Sequence, residues 1–496
     1  MVARSAAEIV RRPESLFIGG GWVKPSSADQ ITVIAPATEQ IYMRVADAKE
    51  ADIDRAVAAA RDAFDRGPWP RMRHAQRADY LRAMGQKLNE RAADVAAVWP
   101  NEMGVVHAVA EAFAGTIGAV YEYYASLADT FPFEERFDHP PGGGRVALLV
   151  REPVGVVGAI VPWNAPINIM AYNIAPALLA GCTVVLKSSP EAPASGYIMA
   201  EIAEAVGLPP GVLNVVTADR GPSERLVRHP GVDKIAFTGS SAAGKRIAAL
   251  CTERVARFTL ELGGKSAAVV LDDYDVDMAA KSIASYSCFL TGQVCSALSR
   301  VIVTREKHDR MVEALGATFK AVKIGDPFDA GTGMGPLAMR RQRDRVEQFV
   351  SQAVSDGAAL ASGGHRPAYL DRGFFFEPTV FGNVDNQSTI ARDEVFGPVL
   401  CVIPAKNEAH AVELANDTIY GLNNSVFTND PDRAYAAARQ LRSGTVGHNV
   451  FRSDMRIGFG GFKQSGIGRE GGVDGLRPYL ENKTVILDEL PSHLKS

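Results

Sequence analysis

At 496 residues the chain exceeds the roughly 250 to 300 at which one hydrophobic core stops growing, so two or more domains are expected. Apolar residues at 47%, charged residues at 22% and a net charge of -4 fit a water-soluble enzyme and leave no electrostatic footprint for nucleic acid or an anionic membrane. Small neutral or mixed-charge partners are expected instead. Met1-Val2-Ala3-Arg4-Ser5 runs on to Arg11-Arg12 without a continuous apolar stretch, and no later run reaches the ~18 apolar residues of a membrane span, so a cytoplasmic protein is expected. Five cysteines (Cys182, Cys251, Cys288, Cys295, Cys401) are an odd number, widely spread and without CxxC or Cys/His clusters, which argues against a disulfide framework or a bound metal.

In chain order, Ile53, Ala56, Val57, Ala60 and Phe64 recur at helical spacing over 51–67, with Asp52 as cap and Gly67-Pro68 as stop. Arg145 to Val150 follow the turn-rich Pro140-Pro141-Gly142-Gly143-Gly144 and read as a strand outside the main domains. The apolar, β-branched runs Gly155 to Val161 and Thr183 to Leu186, with a helical segment between them, form a strand, helix, strand unit. A helix over Gly196 to Val206 stops at Gly207 before Pro209-Pro210, and Val212 to Val216 supply another strand. Lys483 to Leu487 form a second outlying extended stretch. The alternation predicts an α/β fold with mainly parallel sheets, one of them suited to a nucleotide.

Phe237-Thr238-Gly239-Ser240-Ser241-Ala242-Ala243-Gly244-Lys245-Arg246 nearly matches a Walker A loop, but Arg246 stands where a magnesium-binding hydroxyl is required, so a P-loop NTPase is excluded. What survives is a strand opening into a helix whose free N–H groups and dipole suit a pyrophosphate, or else a tight turn needing glycine for its geometry alone. Gly466-Ile467-Gly468-Arg469-Glu470-Gly471 matches GxGxxG without a clear preceding strand, and reads as a loop.

A free cysteine, with a pKa of about 8.5, needs an activating environment to act as a nucleophile. Cys295 has small neighbours, Thr291, Gly292, Ser296 and Ala297, that leave room for a substrate. Glu261 ends the strand-like Phe258-Thr259-Leu260 between two leucines, where a solvated carboxylate is out of place, and Gly263-Gly264 beside it lets the backbone approach a flat ligand. Asn164 sits between prolines in Val161-Pro162-Trp163-Asn164-Ala165-Pro166, a rigid setting for a fixed donor. Each has a bland alternative: a buried thiol, a salt-bridged strand end and a turn-satisfying amide.

Taken together and in order, these motifs resemble the aldehyde dehydrogenase superfamily, in its hydrolytic NAD(P)-dependent branch. The resemblance runs through Pro162-Trp163-Asn164, Lys187, Gly207-Leu208-Pro209-Pro210-Gly211-Val212-Leu213-Asn214, Phe237-Thr238-Gly239-Ser240, Leu260-Glu261-Leu262-Gly263-Gly264-Lys265, Gly292-Gln293-Val294-Cys295, Glu394-Val395-Phe396-Gly397-Pro398 and Gly461-Phe462-Lys463-Gln464-Ser465-Gly466. It implies two open α/β domains, a Rossmann-like cofactor domain (1–130 and 154–261) and a catalytic domain (262–464). A small β oligomerisation domain (131–153 and 465–496) would absorb the two outlying strands. A homodimer or homotetramer is implied.

The implied reaction oxidises an aldehyde to a carboxylic acid through a Cys295 thiohemiacetal and a thioester that water hydrolyses. Asn164 and the Cys295 N–H would hold the oxyanion, Glu261 would serve as base, and Glu470 joins the catalytic set. The cofactor would be NAD, with NADP possible. Lys187 and Glu394 would hold its ribose hydroxyls, Ser240 would lie near the phosphates and Phe396 near the nicotinamide. Val161, Pro162, Trp163, Gly221, Phe237, Gly239, Leu262, Gly263 and Gln342 complete the implied cofactor site. Ala165, Ile169, Tyr172, Val294 and Phe459 would line the substrate tunnel.

Four departures refine the expectation. Pro190 stands where many NAD-preferring relatives carry a glutamate, with Glu191 one step out of register, which points to NAD with NADP tolerated. Ala165 replaces a common aromatic and widens the entrance, predicting a bulky or long apolar aldehyde. Tyr172 and Trp163 alone do not make the aromatic cage that a quaternary ammonium needs. Gly458 replaces a usual proline and predicts a looser loop before Phe459. The alternatives are a coenzyme A-acylating semialdehyde dehydrogenase, against which Glu261 argues, and a catalytically silent protein on the same fold.

Overall fold

The computed structural model describes residues 5–138, 141–454 and 456–492. Met1 to Arg4 and Pro140, which entered the readings of the N-terminus and of the turn before Arg145, lie outside the described residues.

Two large sheets carry the architecture. The first has eight strands, in the order Gly466–Ile467, Arg257–Glu261, Lys234–Thr238, Val156–Ile160, Thr183–Ser188, Leu213–Thr217, Leu16–Ile18 and Gly21–Val23. Its five middle strands are parallel and its outer pairings antiparallel. Four of the five are buried along their lengths, whereas Arg257–Glu261 is buried only from Thr259 on. From Val156–Ile160 the chain steps outward to Thr183–Ser188 and Leu213–Thr217, then returns to Lys234–Thr238 on the other side. That reversal is a topological switch point, where open α/β sheets bind ligands at the carboxyl ends of their strands.

The second sheet runs Ala359–Ser362, Thr379–Gly382, Val399–Ala405, Arg300–Thr304, Ala267–Val270, Asn423–Phe427 and Thr445–His448. Only residues 262–266 separate Glu261, at the carboxyl end of a first-sheet strand, from Ala267, at the start of a second-sheet strand. The exit edge of one sheet therefore lies against the entry edge of the other.

The two outlying stretches pair with each other: Val146–Pro153 and Leu480–Leu487 run antiparallel from Val146↔Leu487 to Pro153↔Leu480. A third strand, Glu134–Asp138, completes the small sheet on the far side of Val146–Pro153. The segment after 464 also serves the first sheet, because Gly466–Ile467 pairs with Leu260 and Glu261, where the sequence predicted a loop. The helix predicted over 51–67 spans Glu50–Asp65. Asp52 is not its N-cap but sits one turn in. Its buried carboxylate accepts from the Lys49 N–H at 2.9 Å and from the Ser26 N–H at 2.9 Å, which binds an upstream loop to the helix start.

Arg300 opens the strand that follows the Cys295 loop. Its guanidinium is 1% exposed and donates to the carbonyls of Lys265 (2.9 Å), Leu414 (2.9 Å) and Ala415 (2.8 Å) and to Asn386 Oδ1 (3.0 Å). Arg300→Leu strands these buried acceptors at ~1–3 kcal/mol each. A loss of ~3 kcal/mol or more is expected, read as a thermal midpoint lower by about 6 °C or more. An unchanged midpoint contradicts the clamp.

Candidate active site

Three first-sheet strands end at the switch point, and each delivers one polar group. Val156–Ile160 passes into Val161-Pro162-Trp163-Asn164, with the Val161 N–H donating to the Lys187 carbonyl at 3.2 Å. Asn164 is 7% exposed and held from both sides: Trp99 Nε1 donates to its carbonyl at 2.9 Å, and its Nδ2 donates to the Gln293 carbonyl at 3.0 Å. One N–H of that amide is thereby committed and the other is left to face the cavity. Lys234–Thr238 leads through Gly239 to Ser240, which caps the helix Ser241–Thr252 by accepting from the Ala243 N–H at 3.3 Å. The third strand ends on Glu261 itself.

Cys295 comes from the side of the other sheet. After the helix Val276–Cys288 the chain reverses through Leu290 (φ 47°), Thr291 (φ 55°) and Gly292 (φ 70°). Two consecutive non-glycine residues in the left-handed region cost on the order of 1–3 kcal/mol each and persist only where surroundings fix them. Gln293 does so from a fully buried position, its Nε2 donating to the Leu290 carbonyl at 3.1 Å and its Oε1 accepting from the Ala338 N–H at 3.0 Å. Thr291 Oγ1 adds a bond to the Gly335 carbonyl at 3.1 Å. The sequence motif contained Gln293 but gave no hint of this anchoring role.

Gly263 and Gly264 are needed for contact. A Cβ at 264 would stand 2.3 Å from the Cys295 carbonyl oxygen, and one at 263 would stand 2.4 Å from a Glu394 carboxylate oxygen. The Gly264 N–H donates to Glu394 Oε1 at 3.1 Å. The result is a thiol ringed by carboxyls. Burial pushes the Cys295 thiol well above its ordinary range, and the facing Glu261, Glu394 and Glu470 push it further. Glu261 is 3% exposed, and its Oε1 has no hydrogen-bond partner among the described residues. Burial, then Glu470 and Glu394, raises its carboxyl well above normal, opposed by a side-chain hydrogen bond with Cys295. Burial also raises Glu394, to about 7. Glu470 Oε1 accepts from Asn173 Nδ2 at 3.1 Å and Thr238 Oγ1 at 3.0 Å, and burial raises it in spite of both. A buried carboxyl with a free oxygen beside a thiol is placed to exchange a proton with it.

Cys295 opens into a cavity of about 220 Å³ lined by Asn164, Glu261 and Glu470 together with Ala165, Ile169, Tyr172, Val294 and Phe459. Trp99, Phe113, Tyr286, Phe289, Leu290 and Phe451 complete its apolar wall, and sequence reasoning missed them all. At Gly458 a Cβ would stand 3.1 Å from that of Asp474, and the neighbouring Phe459 exchanges two backbone hydrogen bonds with Glu470, at 2.6 and 2.8 Å.

A second cleft of about 310 Å³ lies on the other side of the switch point, lined by Lys187, Pro190, Glu191, Arg220, Phe237 and Arg246, among others. Burial draws the Lys187 ammonium down to about 8, while Glu191 and Asp219 pull it upward. Gly221 lies in the first turn of the helix Arg220–Arg228, but the cleft takes in Arg220 and Ser223 rather than Gly221. Gly239 packs on the Phe237 ring, where a Cβ would come within 2.6 Å. Toward Cys295, Trp163 and Phe396 meet edge to face at 5.4 Å, so Trp163 stacks here and does not line the substrate cavity. Phe396 adopts φ 59°, and Gln342 Nε2 holds its carbonyl at 2.7 Å, so Gln342 acts through Phe396. The Leu262 N–H donates to the Ser465 carbonyl at 2.9 Å.

The sequence pattern of the aldehyde dehydrogenase family matches residues 22–485. The chain belongs to that family. It is 41% identical over 475 residues to geranial dehydrogenase of Castellaniella defragrans, covering 96% of this chain and 98% of the relative. It is also 41% identical over 492 residues to betaine aldehyde dehydrogenase 1 of Oryza sativa subsp. japonica, covering 98% and 96%. The crystal structure of Mycobacterium tuberculosis aldehyde dehydrogenase complexed with NAD+ superimposes with a TM-score of 0.93 at 41% identity, covering 96% of this chain and 98% of that one. The protein is accordingly an oxidoreductase of the aldehyde dehydrogenase family.

Because Glu261 contributes to the raised Cys295 thiol, Glu261→Gln moves the rate-versus-pH curve for iodoacetamide alkylation of Cys295 to lower pH. Mass spectrometry of the alkylated site across pH measures it, and a curve moved to higher pH contradicts the assigned charge coupling.

Proposed function

We propose that this aldehyde dehydrogenase oxidises a bulky or long apolar aldehyde to its carboxylic acid, using NAD in preference to NADP. The observation that carries the reading is the cavity over Cys295, lined at the sulfur by Asn164 and Glu261 and elsewhere mainly by aromatic and aliphatic side chains, with Asn168, Thr238, Ser296, Ser453, Asp454 and Glu470 as its other polar members. The similarity to a geranial dehydrogenase supports an apolar substrate. The similarity to a betaine aldehyde dehydrogenase favours a cationic one, and the aromatic wall makes betaine aldehyde the comparison to run.

The second cleft suits a dinucleotide by its donors, the buried Lys187 ammonium and the start of a twelve-residue helix with free N–H groups, and the Glu394 carboxyl lies outside that lining, beside Gly263 and Gly264. Lys187 and Glu394 would hold ribose hydroxyls, and Ser240 with its helix would hold phosphates. A bound nicotinamide dinucleotide supplies the hydride acceptor that turns a thiohemiacetal into a thioester.

The chain's own groups do the rest. Cys295 gives its proton to Glu261 and its sulfur forms a bond to the aldehyde carbon, and the free Asn164 N–H and the Cys295 N–H hold the resulting oxyanion. In the deacylation half, Glu261, once it has released that proton to solvent, takes another from water as the water oxygen bonds to the thioester carbon. The C–S bond breaks, the acid leaves, and Glu261 returns the proton to the sulfur. Water as acceptor makes a coenzyme A requirement unnecessary. Glu191, kept ionised by Ser189 and Arg341 at the cleft wall, opposes a 2′-phosphate.

A panel of acetaldehyde, octanal, an aromatic aldehyde and betaine aldehyde, assayed for NADH and NADPH formation, tests the reading. A higher kcat/KM for the long or aromatic aldehydes and for NAD is expected, and a preference for acetaldehyde or betaine aldehyde overturns the apolar assignment. Asn164→Ala is expected to lower kcat by about 100- to 1,000-fold while the protein stays folded. Parent-like turnover removes Asn164 from the oxyanion site.

A further inference from the structure

Residues 294–299 belong to no helix or strand: the anchored Gln293 precedes them and the strand Arg300–Thr304 begins after them. The backbone is bent there by two hydrogen bonds, from the Ala297 N–H to the Val294 carbonyl at 3.1 Å and from the Ser299 N–H to the Ala297 carbonyl at 2.8 Å. Cys295 and Ser296 stand in the bend. Burial and the carboxyls of Glu261, Glu394 and Glu470 raise the Cys295 thiol, and the Ser296 N–H, which hydrogen-bonds the sulfur, opposes them. A donor favours the thiolate only while its direction is kept.

One side chain reaches this bend from a helix. Tyr286 lies in the last turn of Val276–Cys288, and its hydroxyl makes a hydrogen bond of 3.0 Å with Ser296 Oγ, which is buried. Its ring is nearly parallel to two others, stacking on Phe451 at 4.1 Å and on Phe289 at 5.8 Å, so the plane that aims the hydroxyl is fixed. The ring lines the cavity and the hydroxyl serves the bend. The two roles separate in Tyr286→Phe, which keeps the stack and removes the bond.

We propose that Tyr286 is a positioning residue for aldehyde oxidation: its hydroxyl fixes Ser296, and the Ser296 N–H so held keeps a donor directed at the Cys295 sulfur. The inference rests on the reading of Cys295 as the group that attacks the aldehyde and adds what steadies that sulfur. A helix is thereby tied to an irregular stretch that carries the reacting atom.

The test follows iodoacetamide alkylation of Cys295 and NADH formation from octanal across pH in the parent, Tyr286→Phe, Ser296→Ala and the double variant, with Cys295→Ala as control. The titratable groups that face the sulfur, Glu261, Glu394, Glu470 and Tyr286 itself, all remain in Ser296→Ala, which isolates the bond. Each single variant is expected to move the alkylation curve to higher pH by about one unit, the equivalent of one hydrogen bond to a charged group. The double variant moves it no further, because both changes break the same bond. NADH formation at neutral pH falls about tenfold with the thiolate fraction. Single-variant curves that lie on the parent's overturn the positioning role, even where the thermal midpoint falls, and so do shifts that add in the double variant. NADH formation that survives in Cys295→Ala overturns the reading of Cys295 itself and the inference with it.

Discussion

Everything at this site follows from two backbones touching where the large sheets meet. Glycine at 264 lets the main chain leaving Glu261 lie against the Cys295 carbonyl, a distance that no side chain permits. The contact brings the exit edge of one sheet, with Asn164, Ser240 and Glu261, against the entry edge of the other, with Cys295. Neither sheet alone holds both the thiol and the carboxyl beside it. The short 262–266 connection makes their spacing a property of covalent geometry rather than of flexible loops.

The electrostatics build on that contact. Bringing Glu261, Glu394 and Glu470 to one buried thiol places four acidic groups in a small volume, and burial raises all four, Glu394 to about 7. Asn173 and Thr238 fix Glu470 without neutralising it, and Gly264 does the same for Glu394. Glu261 keeps one oxygen without a hydrogen-bond partner among the described residues.

What the sequence disclosed was what sits at strand ends. Asn164, Glu261 and Ser240 follow apolar runs whose lengths and flanking glycines and prolines are visible in one dimension, and the order of the motifs identified the family. The walls of the cavity were not legible. Trp99, Phe113, Tyr286 and Phe451 reach it from separate helices and loops through tertiary packing, and their local spacing is no different from that of core residues. Asp52 shows the same limit on a smaller scale, because a carboxylate near a helix start looks alike whether it caps from outside or from the first turn. Glu134–Asp138, with four charges in five residues, offers no strand pattern, and main-chain bonds to Val146–Pro153 hold it in place. The two outlying strands were visible as strands, but periodicity could not reveal that they pair with each other.

The segment around Ser465 has a consequence for how the enzyme comes into being. Ser465 accepts from the Leu262 N–H through its carbonyl, donates its hydroxyl to the Gly263 carbonyl at 2.7 Å, and leads straight into the strand beside Glu261. Phe459 and Glu470 enter the cavity from the same stretch. While the polypeptide is still emerging from the ribosome, more than four hundred residues can be made before the elbow between the sheets gains its last wall. Newly made chains therefore lack the strand beside Glu261 and two walls of the Cys295 cavity until synthesis is nearly done.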